Sequence, residues 1–185
     1  MQQTEIDRVL SFWLEEVGPE GWYKPDEGVD SRIAREFGAL QTQACAGRLR
    51  SWAATARGTL ASLILIDQFS RNLYRGTAKA YAHDPLCLAL TKMAIGRGFD
   101  LLTPEPERQF FYLPLEHSES LADQERAVRL FMMRMPGITE EGRRAVIGHR
   151  DVIRKFGRFP SRNAALGRKD KAAELAYREA GGYMG

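Results

Sequence analysis

The sequence predicts an all-α protein, an array of about seven to eight antiparallel helices that forms one domain over residues 1–185. Along most of the chain, apolar residues recur with the three-to-four-residue spacing of amphipathic helices, and the alternating pattern of strands is nearly absent. Proline and glycine residues separate these periodic segments by short connections, which favours antiparallel helical neighbours.

Length and composition are those of an ordinary globular protein. The chain has 185 residues, of which 44% are hydrophobic and 28% charged, and this composition excludes a disordered chain. The net charge of +3 and the pI of about 9.0 are a mild basic excess that does not by itself indicate a partner. The longest strongly apolar run, residues 60–66, is too short to span a bilayer.

The cysteines and the N-terminal segment bear on the compartment. Cys45 and Cys87 are the only cysteines, and their separation predicts reduced thiols rather than a metal or redox pair. The segment MQQTEIDRVLSFW lacks the basic and apolar regions of a signal peptide. The sequence therefore predicts a cytoplasmic protein without a membrane partner.

The first half of the chain contains three predicted helices. Thr4 is the predicted cap of the first helix, whose apolar stripe ends near Gly18. After a loop rich in glycine and proline, Asp30 is the predicted N-cap of the second. The third runs from about Thr59 to about Tyr74, and its apolar residues on both sides predict a buried helix.

Proline marks the predicted helix boundaries of the second half. Asp84 and the proline after it predict a capped helix start, and that helix ends near Gly96 or Gly98. Thr103, also followed by proline, predicts another start, and Pro114 is expected to kink or end that helix.

Three further helix boundaries follow from capping patterns. Ser120 and Asp123 have the spacing of a capping box before a helix that reaches Met135. Thr139 is the predicted start of a long helix that Gly157 ends. A last helix is predicted over residues 170–180.

The segment LILIDQFSRNLYRG, residues 63–76, places four polar side chains on the buried third helix. They are the candidate ligand-binding residues Asp67, Arg71, Asn72 and Arg75. A spacing of four residues makes Asp67 and Arg71 natural partners, and an unpaired buried charge is costly. One interpretation is a structural ion pair. In the other, Asp67 orients Arg71 while Arg71 and Arg75 face a cleft.

The segment YLPLEHSES, residues 112–120, groups a histidine with two carboxylates just after a proline. Glu116, His117 and Glu119 are therefore candidate catalytic residues, with His117 as a general acid or base. One histidine between glutamates lacks the spacing of a metal site, so no metal is predicted. The structural alternative is a His–Glu pair that holds a kinked turn.

The segment HRDVIRKFGRFPSRN, residues 149–163, combines a histidine with a run of arginines. Its candidate ligand-binding residues are His149, Arg150, Arg154, Arg158, Arg162 and Asn163. Guanidinium groups bind phosphate or carboxylate through two parallel hydrogen bonds, which favours an anionic ligand. The alternatives are a solvated basic face and a core position for His149, which lies on the apolar face of its helix.

These segments together resemble the bacterial domain-of-unknown-function family 924. The family pattern DQFPRN-x-YRGT is similar to DQFSRNLYRGT from Asp67, YLP-xx-HSE to YLPLEHSE from Tyr112, and H-xxx-I-xx-FGRFPHRN-xx-LGR to the stretch from His149. Ser70 stands in place of the usual proline and Ser161 in place of the usual histidine. The resemblance covers nearly the whole chain, and it implies an all-helical fold with packing like that of tetratricopeptide arrays.

Three functions are consistent with these residues. The leading hypothesis is a binding module whose arginine-lined polar groove holds a phosphorylated small molecule, a nucleotide or a peptide carboxylate. The second is an enzyme in which Glu116 or Glu119 orients His117 against an anionic substrate, and no cofactor is predicted. The third is RNA binding through the alternating arginine and phenylalanine residues 154–162.

Buried polar groups must satisfy one another or surround a ligand, and this rule predicts a single site. The sequence therefore predicts one polar cavity between the third helix and the last long helix, shared by Asp67, Arg71, His117, His149 and Arg154.

Overall fold

A computed structural model describes residues 4–183, which form helices and connecting turns without a β-strand. The first four helices are α1 (residues 5–17), α2 (residues 27–45), α3 (residues 56–73) and α4 (Asp84–Gly96). Each of the first three contains a π-helical segment, which is Ser11–Val17 in α1, Ile33–Phe37 in α2 and Ile64–Gln68 in α3. The α-helical parts are Glu5–Leu10 in α1, Glu27–Arg32 and Gly38–Cys45 in α2, and Ala56–Leu63 and Phe69–Leu73 in α3.

Four more helices follow. They are α5 (Leu113–Glu116), α6 (Leu121–Arg134), α7 (Glu140–Phe156) and α8 (Ala172–Glu179). Single helical turns and 3-10 helices, including Ala78–Tyr81, Glu107–Phe111 and Pro160–Arg162, connect them. The predicted all-α class is therefore confirmed, and tetratricopeptide-like packing stays a prediction. Within residues 4–183, every helix is too short or too polar to cross a bilayer.

Side-chain caps fix the starts of the first helices. Thr4 caps α1 as predicted, and Gly18, with φ of 63°, ends it. The helix α2 starts one turn before its predicted cap, because Asp26 and not Asp30 accepts the hydrogen bond of a first-turn amide. Thr55 caps α3, so this helix also starts earlier than predicted.

The prolines of the second half do not all act as predicted. Thr103 and the proline after it precede turns and the 3-10 helix Glu107–Phe111 rather than an α-helix. Pro114 lies in the first turn of α5, where a missing amide hydrogen is tolerated, so it starts a helix instead of ending one.

The carboxylates of two predicted caps bind other groups. Asp84 lies inside the first turn of α4, and its carboxylate accepts hydrogen bonds from two arginine side chains. Ser120 precedes α6 without a side-chain cap, and Asp123 binds Ser118 and Lys92. Both ends of α7 agree with the prediction, because Thr139 caps this helix and Gly157, with φ of 70°, ends it.

The helix α3 runs through the main apolar core. Phe69 is fully buried, and its ring lies 6.0 Å from that of Phe12, 5.5 Å from Trp13 and 5.5 Å from Phe37. The short helix α5 contacts α4, α6 and α7, and α4 contacts α3. This packing brings the residues that follow α5 close to both α3 and α7.

Two helical glycines lead to opposite stability predictions. A Cβ atom at Gly58 would lie 2.3 Å from the backbone oxygen of Trp52, whereas one at Gly38 meets no atom within 4 Å. Gly58→Ala is expected to destabilise the protein by about 1–3 kcal/mol through overpacking. Gly38→Ala is expected to stabilise it by about 0.4–1 kcal/mol, because the unfolded chain loses conformational freedom. Urea unfolding midpoints that move in the same direction would contradict this pair of predictions.

Candidate functional site

Asp67 is a buried carboxylate in the middle of α3. Its side chain is 3% exposed, because the helix is covered by apolar side chains on both sides. Oδ1 lies 2.9 Å from Arg71 Nη1 in an ion pair and accepts a hydrogen bond from His117 Nδ1 at 2.8 Å, and the Gln68 amide binds Oδ2. Burial raises the pKa of the carboxyl, but the charge of Arg71 and the interactions with His117 and Gln68 outweigh burial and hold the pKa well below its ordinary 3.8. Asp67 is therefore ionised at neutral pH.

Two arginines share the carboxylate of Asp84. Arg71 donates to both of its oxygens, at 3.1 and 3.2 Å, and Arg162 donates to Oδ2 at 3.4 Å. Arg162 also donates to the backbone oxygen of His117 at 2.9 Å. The ring centroid of Tyr81 lies 5.7 Å from the guanidinium of Arg71 and 4.7 Å from that of Arg162, within cation–π range. The shared acid and the ring hold two like charges side by side.

His117 follows α5 and presents a free ring nitrogen. Its Nδ1 donates to Asp67, because an ionised carboxylate only accepts hydrogen bonds. Its Nε2 has no hydrogen-bond partner within residues 4–183, and this atom is not buried. Burial and the charge of Arg71 lower the pKa of His117 below its ordinary 6.5, despite the opposing effect of Asp67. His117 is thus neutral at pH 7, and its Nε2 is a hydrogen-bond acceptor.

His149, on α7, has the opposite electrostatic environment. Its Nδ1 lies 2.9 Å from Glu116 Oε1, 2.9 Å from the backbone oxygen of Ala145 and 3.0 Å from the hydroxyl of Tyr183. Burial lowers the pKa of His149, but the hydrogen bond and the charge of Glu116 outweigh burial and raise the pKa above 6.5. The ring centroids of His149 and His117 are 6.5 Å apart.

These side chains line a polar pocket of about 210 Å³. Its charged and imidazole lining consists of Arg71, Arg75, Arg162, His117 and His149, and among residues 4–183 no carboxylate lines it. The acids that pair with the arginines are not among the lining residues, so guanidinium and imidazole groups form much of the polar wall of the pocket. A second pocket, of about 270 Å³, is lined mainly by apolar side chains and has no comparable polar cluster.

Four of the five residues that were predicted to share a cavity lie together. Asp67, Arg71, His117 and His149 converge where α3, α5 and α7 meet. Arg154 does not, and that part of the prediction is wrong, because its side chain binds Glu125 and Asp151 instead.

The remaining residues of α3 bind a common acid. Asp30 accepts hydrogen bonds from Asn72 at 2.7 Å and from Arg75 at 3.3 Å and 3.2 Å. Arg75 lines the pocket, whereas Asn72 does not.

Arg150 and Arg154 lie outside the pocket for a geometric reason. Successive residues of an α-helix are about 100° apart, so Arg150 is rotated by about 100° from His149 and Arg154 by about 140°. Both arginines bind Asp151 on the outer side of α7.

Arg158 and Asn163 anchor α8. Arg158 donates to the two carboxylate oxygens of Glu174 at 2.7 and 2.8 Å, and Asn163 donates to the same carboxylate at 3.0 Å. The bond with Arg158 lowers the pKa of Glu174 to about 2. Neither Arg158 nor Asn163 lines the pocket.

The two glutamates near His117 bind other residues. Glu116 pairs with His149, and Glu119 binds the side chain of Arg168 and the backbone amide of Phe159. The residue that orients His117 is Asp67, which replaces both glutamates in that predicted role.

Two functional residues were missed from the sequence. Asp84 was interpreted as a helix cap, and Tyr81 belongs to a 3-10 helix without a distinctive spacing. Both reach the arginines from another part of the chain, 78 residues from Arg162 in the case of Asp84. The neighbouring proline was the only signal, and it correctly marked the start of α4.

Comparison with known proteins confirms the predicted family. A family described as bacterial proteins of unknown function, DUF924, matches residues 9–182. The chain belongs to this family. The structure of a protein of unknown function, ATU0120 from Agrobacterium tumefaciens, is 36% identical, with a TM-score of 0.88 over 95% of this chain and 97% of that one. No curated protein matches the chain. In this DUF924 member, the segments at Asp67, Tyr112 and His149 supply every arginine and histidine of the pocket.

Proposed function

We propose that this protein binds a small anion in the arginine-lined pocket. The observation that carries the proposal is the convergence of three guanidinium groups on one pocket of about 210 Å³ that no carboxylate of residues 4–183 lines. Guanidinium groups present paired N–H donors that match phosphate and carboxylate oxygens. The pocket therefore offers an anion both positive charge and directed hydrogen bonds.

The pairing of these arginines with acids leaves donors for a ligand. A guanidinium has five N–H donors. Arg162 uses donors for Asp84 and for the backbone of His117, and Arg75 binds only Asp30 through Nη2 within residues 4–183. An anion in the pocket satisfies the remaining donors without breaking the existing pairs.

The size of the pocket favours a small ligand. Drug-sized ligands occupy pockets of about 300–1,000 Å³, so a pocket of about 210 Å³ suits a smaller ligand. A phosphate or a small phosphorylated or carboxylated metabolite fits this space. Nucleotides and peptides are less well supported.

RNA binding has little support in the side-chain geometry. Phe159 is 1% exposed, so a base cannot stack on its ring. Arg154 and Arg158 bind Glu125 and Glu174, and Arg162 is buried in the pocket. The basic segment therefore does not form an open stripe along which phosphates and bases alternate.

Arg75→Ala is expected to weaken the binding of inorganic phosphate about tenfold, since a hydrogen bond to a charged group contributes about 1.5–3 kcal/mol. The measurement is isothermal titration with phosphate in low salt. Arg154→Ala is the matched control, because the two side chains are 50% and 51% exposed and each is paired with acids at the surface.

Arg154→Ala is expected to change the phosphate affinity less than twofold, because Arg154 lies outside the pocket. Arg162→Lys tests a buried arginine of the pocket. The substitution keeps the positive charge but removes the planar pair of N–H donors. Absence of phosphate binding by the wild-type protein, or equal losses in Arg75→Ala and Arg154→Ala, refutes the proposed function.

A further inference from the structure

The two histidines of the pocket are arranged as a pair. Their ring centroids are 6.5 Å apart, with an interplanar angle of 61°. Each Nδ1 faces a buried carboxylate, Asp67 for His117 and Glu116 for His149. Within residues 4–183, neither Nε2 atom makes a hydrogen bond, and neither is buried. Because both histidines line the pocket, both Nε2 atoms are accessible from it.

The charged groups around the two rings favour opposite protonation states. His117 faces Asp67 but also the guanidinium of Arg71, which binds the same carboxylate oxygen, and Arg162 binds its backbone oxygen. Burial lowers the pKa of His117, and the charge of Arg71 also disfavours a positive charge on the ring.

His149 is surrounded mainly by acceptors. It faces Glu116, the backbone oxygen of Ala145 and the hydroxyl of Tyr183. Burial and the more distant charge of Arg162 lower the pKa of His149, but Glu116 and the backbone oxygen of Ala145 together raise it above 6.5. His117 therefore offers a lone pair to the pocket, and His149 offers an N–H from Nε2 in its protonated form, which Glu116 stabilises. This is the assignment expected of a general base and a general acid.

We propose that His117 and His149 act as base and acid in the hydrolysis of a small phosphate monoester. The inference rests on the proposed anion binding, because the arginines of the pocket hold the phosphate group. Asp67 and Glu116 are positioning residues that fix the orientation of the two rings and keep each Nε2 towards the pocket.

The reaction conserves atoms and charge. A water oxygen attacks phosphorus while Nε2 of His117 accepts one of its protons. The bond between phosphorus and the ester oxygen breaks, and Nε2–H of His149 gives its proton to the departing alkoxide. The products are an alcohol and inorganic phosphate, and proton exchange with solvent restores both histidines.

The geometry suits a group of phosphate size. A hydrogen bond spans about 2.7–3 Å, so two rings with centroids 6.5 Å apart can reach the attacking water and the ester oxygen of one phosphate group. The guanidinium groups of Arg71 and Arg162 are held in place before the reaction by Asp84. Such fixed cations stabilise the charge that develops on the phosphoryl oxygens.

The test compares two substrates that differ in whether the leaving group must be protonated by an acid. Ethyl phosphate needs a proton on its alkoxide leaving group, whereas 4-nitrophenolate leaves without one. His117→Asn is expected to slow phosphate release from both substrates by about 10²-fold or more. His149→Asn is expected to slow ethyl phosphate by a similar factor and 4-nitrophenyl phosphate by less than tenfold. Asparagine keeps an N–H donor near the position of Nδ1, so the buried carboxylates stay paired.

The third histidine provides the control. His83 lies outside the pocket, and His83→Asn is expected to leave both rates unchanged. Phosphate titration and thermal unfolding of each variant show whether folding and anion binding are intact. If the wild-type protein binds phosphate but releases none from either ester, the acid–base inference fails and the binding function stands. If it does not bind phosphate, the proposed function fails as well.

Two further outcomes decide the assignment. Equal rates in the wild-type protein and in the doubly substituted His117→Asn, His149→Asn protein would overturn the inference. Equal losses on the two substrates in His149→Asn would overturn the role of His149 as the acid. For the wild-type protein we expect a bell-shaped pH profile, which rises through the lowered pKa of His117 and falls through the raised pKa of His149.

Discussion

Asp67→Ala is expected to lower the free energy of unfolding by about 3 kcal/mol, the lower end of the range for a broken buried ion pair. The change removes the acceptor of His117 Nδ1 and one of the two carboxylate partners of Arg71. The loss stays at the lower end because Arg71 keeps its two hydrogen bonds to Asp84. The same substitution should also weaken phosphate binding, because Arg71 and His117 lose their fixed orientation.

Urea unfolding provides the measurement, and Asp151→Ala is the matched control. The side chain of Asp151 is 50% exposed, and its pairs with Arg150 and Arg154 lie at the surface. Exposed pairs contribute about 0–1 kcal/mol, so the control should shift the midpoint only slightly. Similar shifts of the unfolding midpoint in the two variants would show that the buried carboxylate of Asp67 contributes no more to stability than the exposed one of Asp151.

The effect of Asp67 should depend on pH in a defined direction. The pKa of its carboxyl is lower in the folded protein than the ordinary 3.8 of an unfolded chain. The unfolded chain therefore binds more protons in this range, and the stabilisation is complete above pH 3.8 and declines as pH falls through the folded-state pKa. The difference between wild type and Asp67→Ala should narrow in acid, and a constant difference would contradict the assigned ionisation.

The sequence predicts those parts of the site that lie within one helix. Asp67 and Arg71 are four residues apart on a segment that is apolar on both sides, so their pairing and their burial both follow from helical geometry. Thr4, Thr139 and Gly157 mark helix ends because capping is a local interaction.

Pairings between helices could not be obtained in this way. Glu116 is the sequence neighbour of His117 but binds His149, since adjacent residues of a helix point in different directions. Asp67, which is 50 residues from His117, makes the hydrogen bond to His117 that was predicted for Glu116 or Glu119. Asp84 shows the same limit, because its carboxylate binds arginines that only the tertiary fold brings near.

The energetics of the polar cluster support a role in ligand binding. Buried ion pairs are weak sources of stability, and well-packed apolar side chains of similar volume often serve the fold as well or better. Here two arginines, two histidines and their acids occupy the meeting point of three helices, beside the core of Phe69 and Ile64. Packing alone does not require such a cluster, whereas a pocket that holds an anion between guanidinium groups does.

Phe69→Ala is expected to destabilise the protein by about 3–5 kcal/mol, the range for truncation of a fully buried phenylalanine. The ring has no exposed surface and packs against the rings of Phe12, Trp13 and Phe37, from α1 and α2. Its loss leaves a cavity, because three aromatic rings on two separate helices cannot move together to fill the space.

The measurement is the free energy of urea unfolding, with Leu102→Ala as the control for an apolar side chain that is 73% exposed. The control should change stability by less than about 0.5 kcal/mol. Phe69 lies two residues from Asp67, on the other side of α3, so its removal also tests whether the aromatic core holds the pocket in place. Phosphate binding should weaken in Phe69→Ala if α3 shifts into the cavity. A loss of stability below about 1 kcal/mol would instead show that the neighbouring rings close the gap, contrary to the rigid packing of this core.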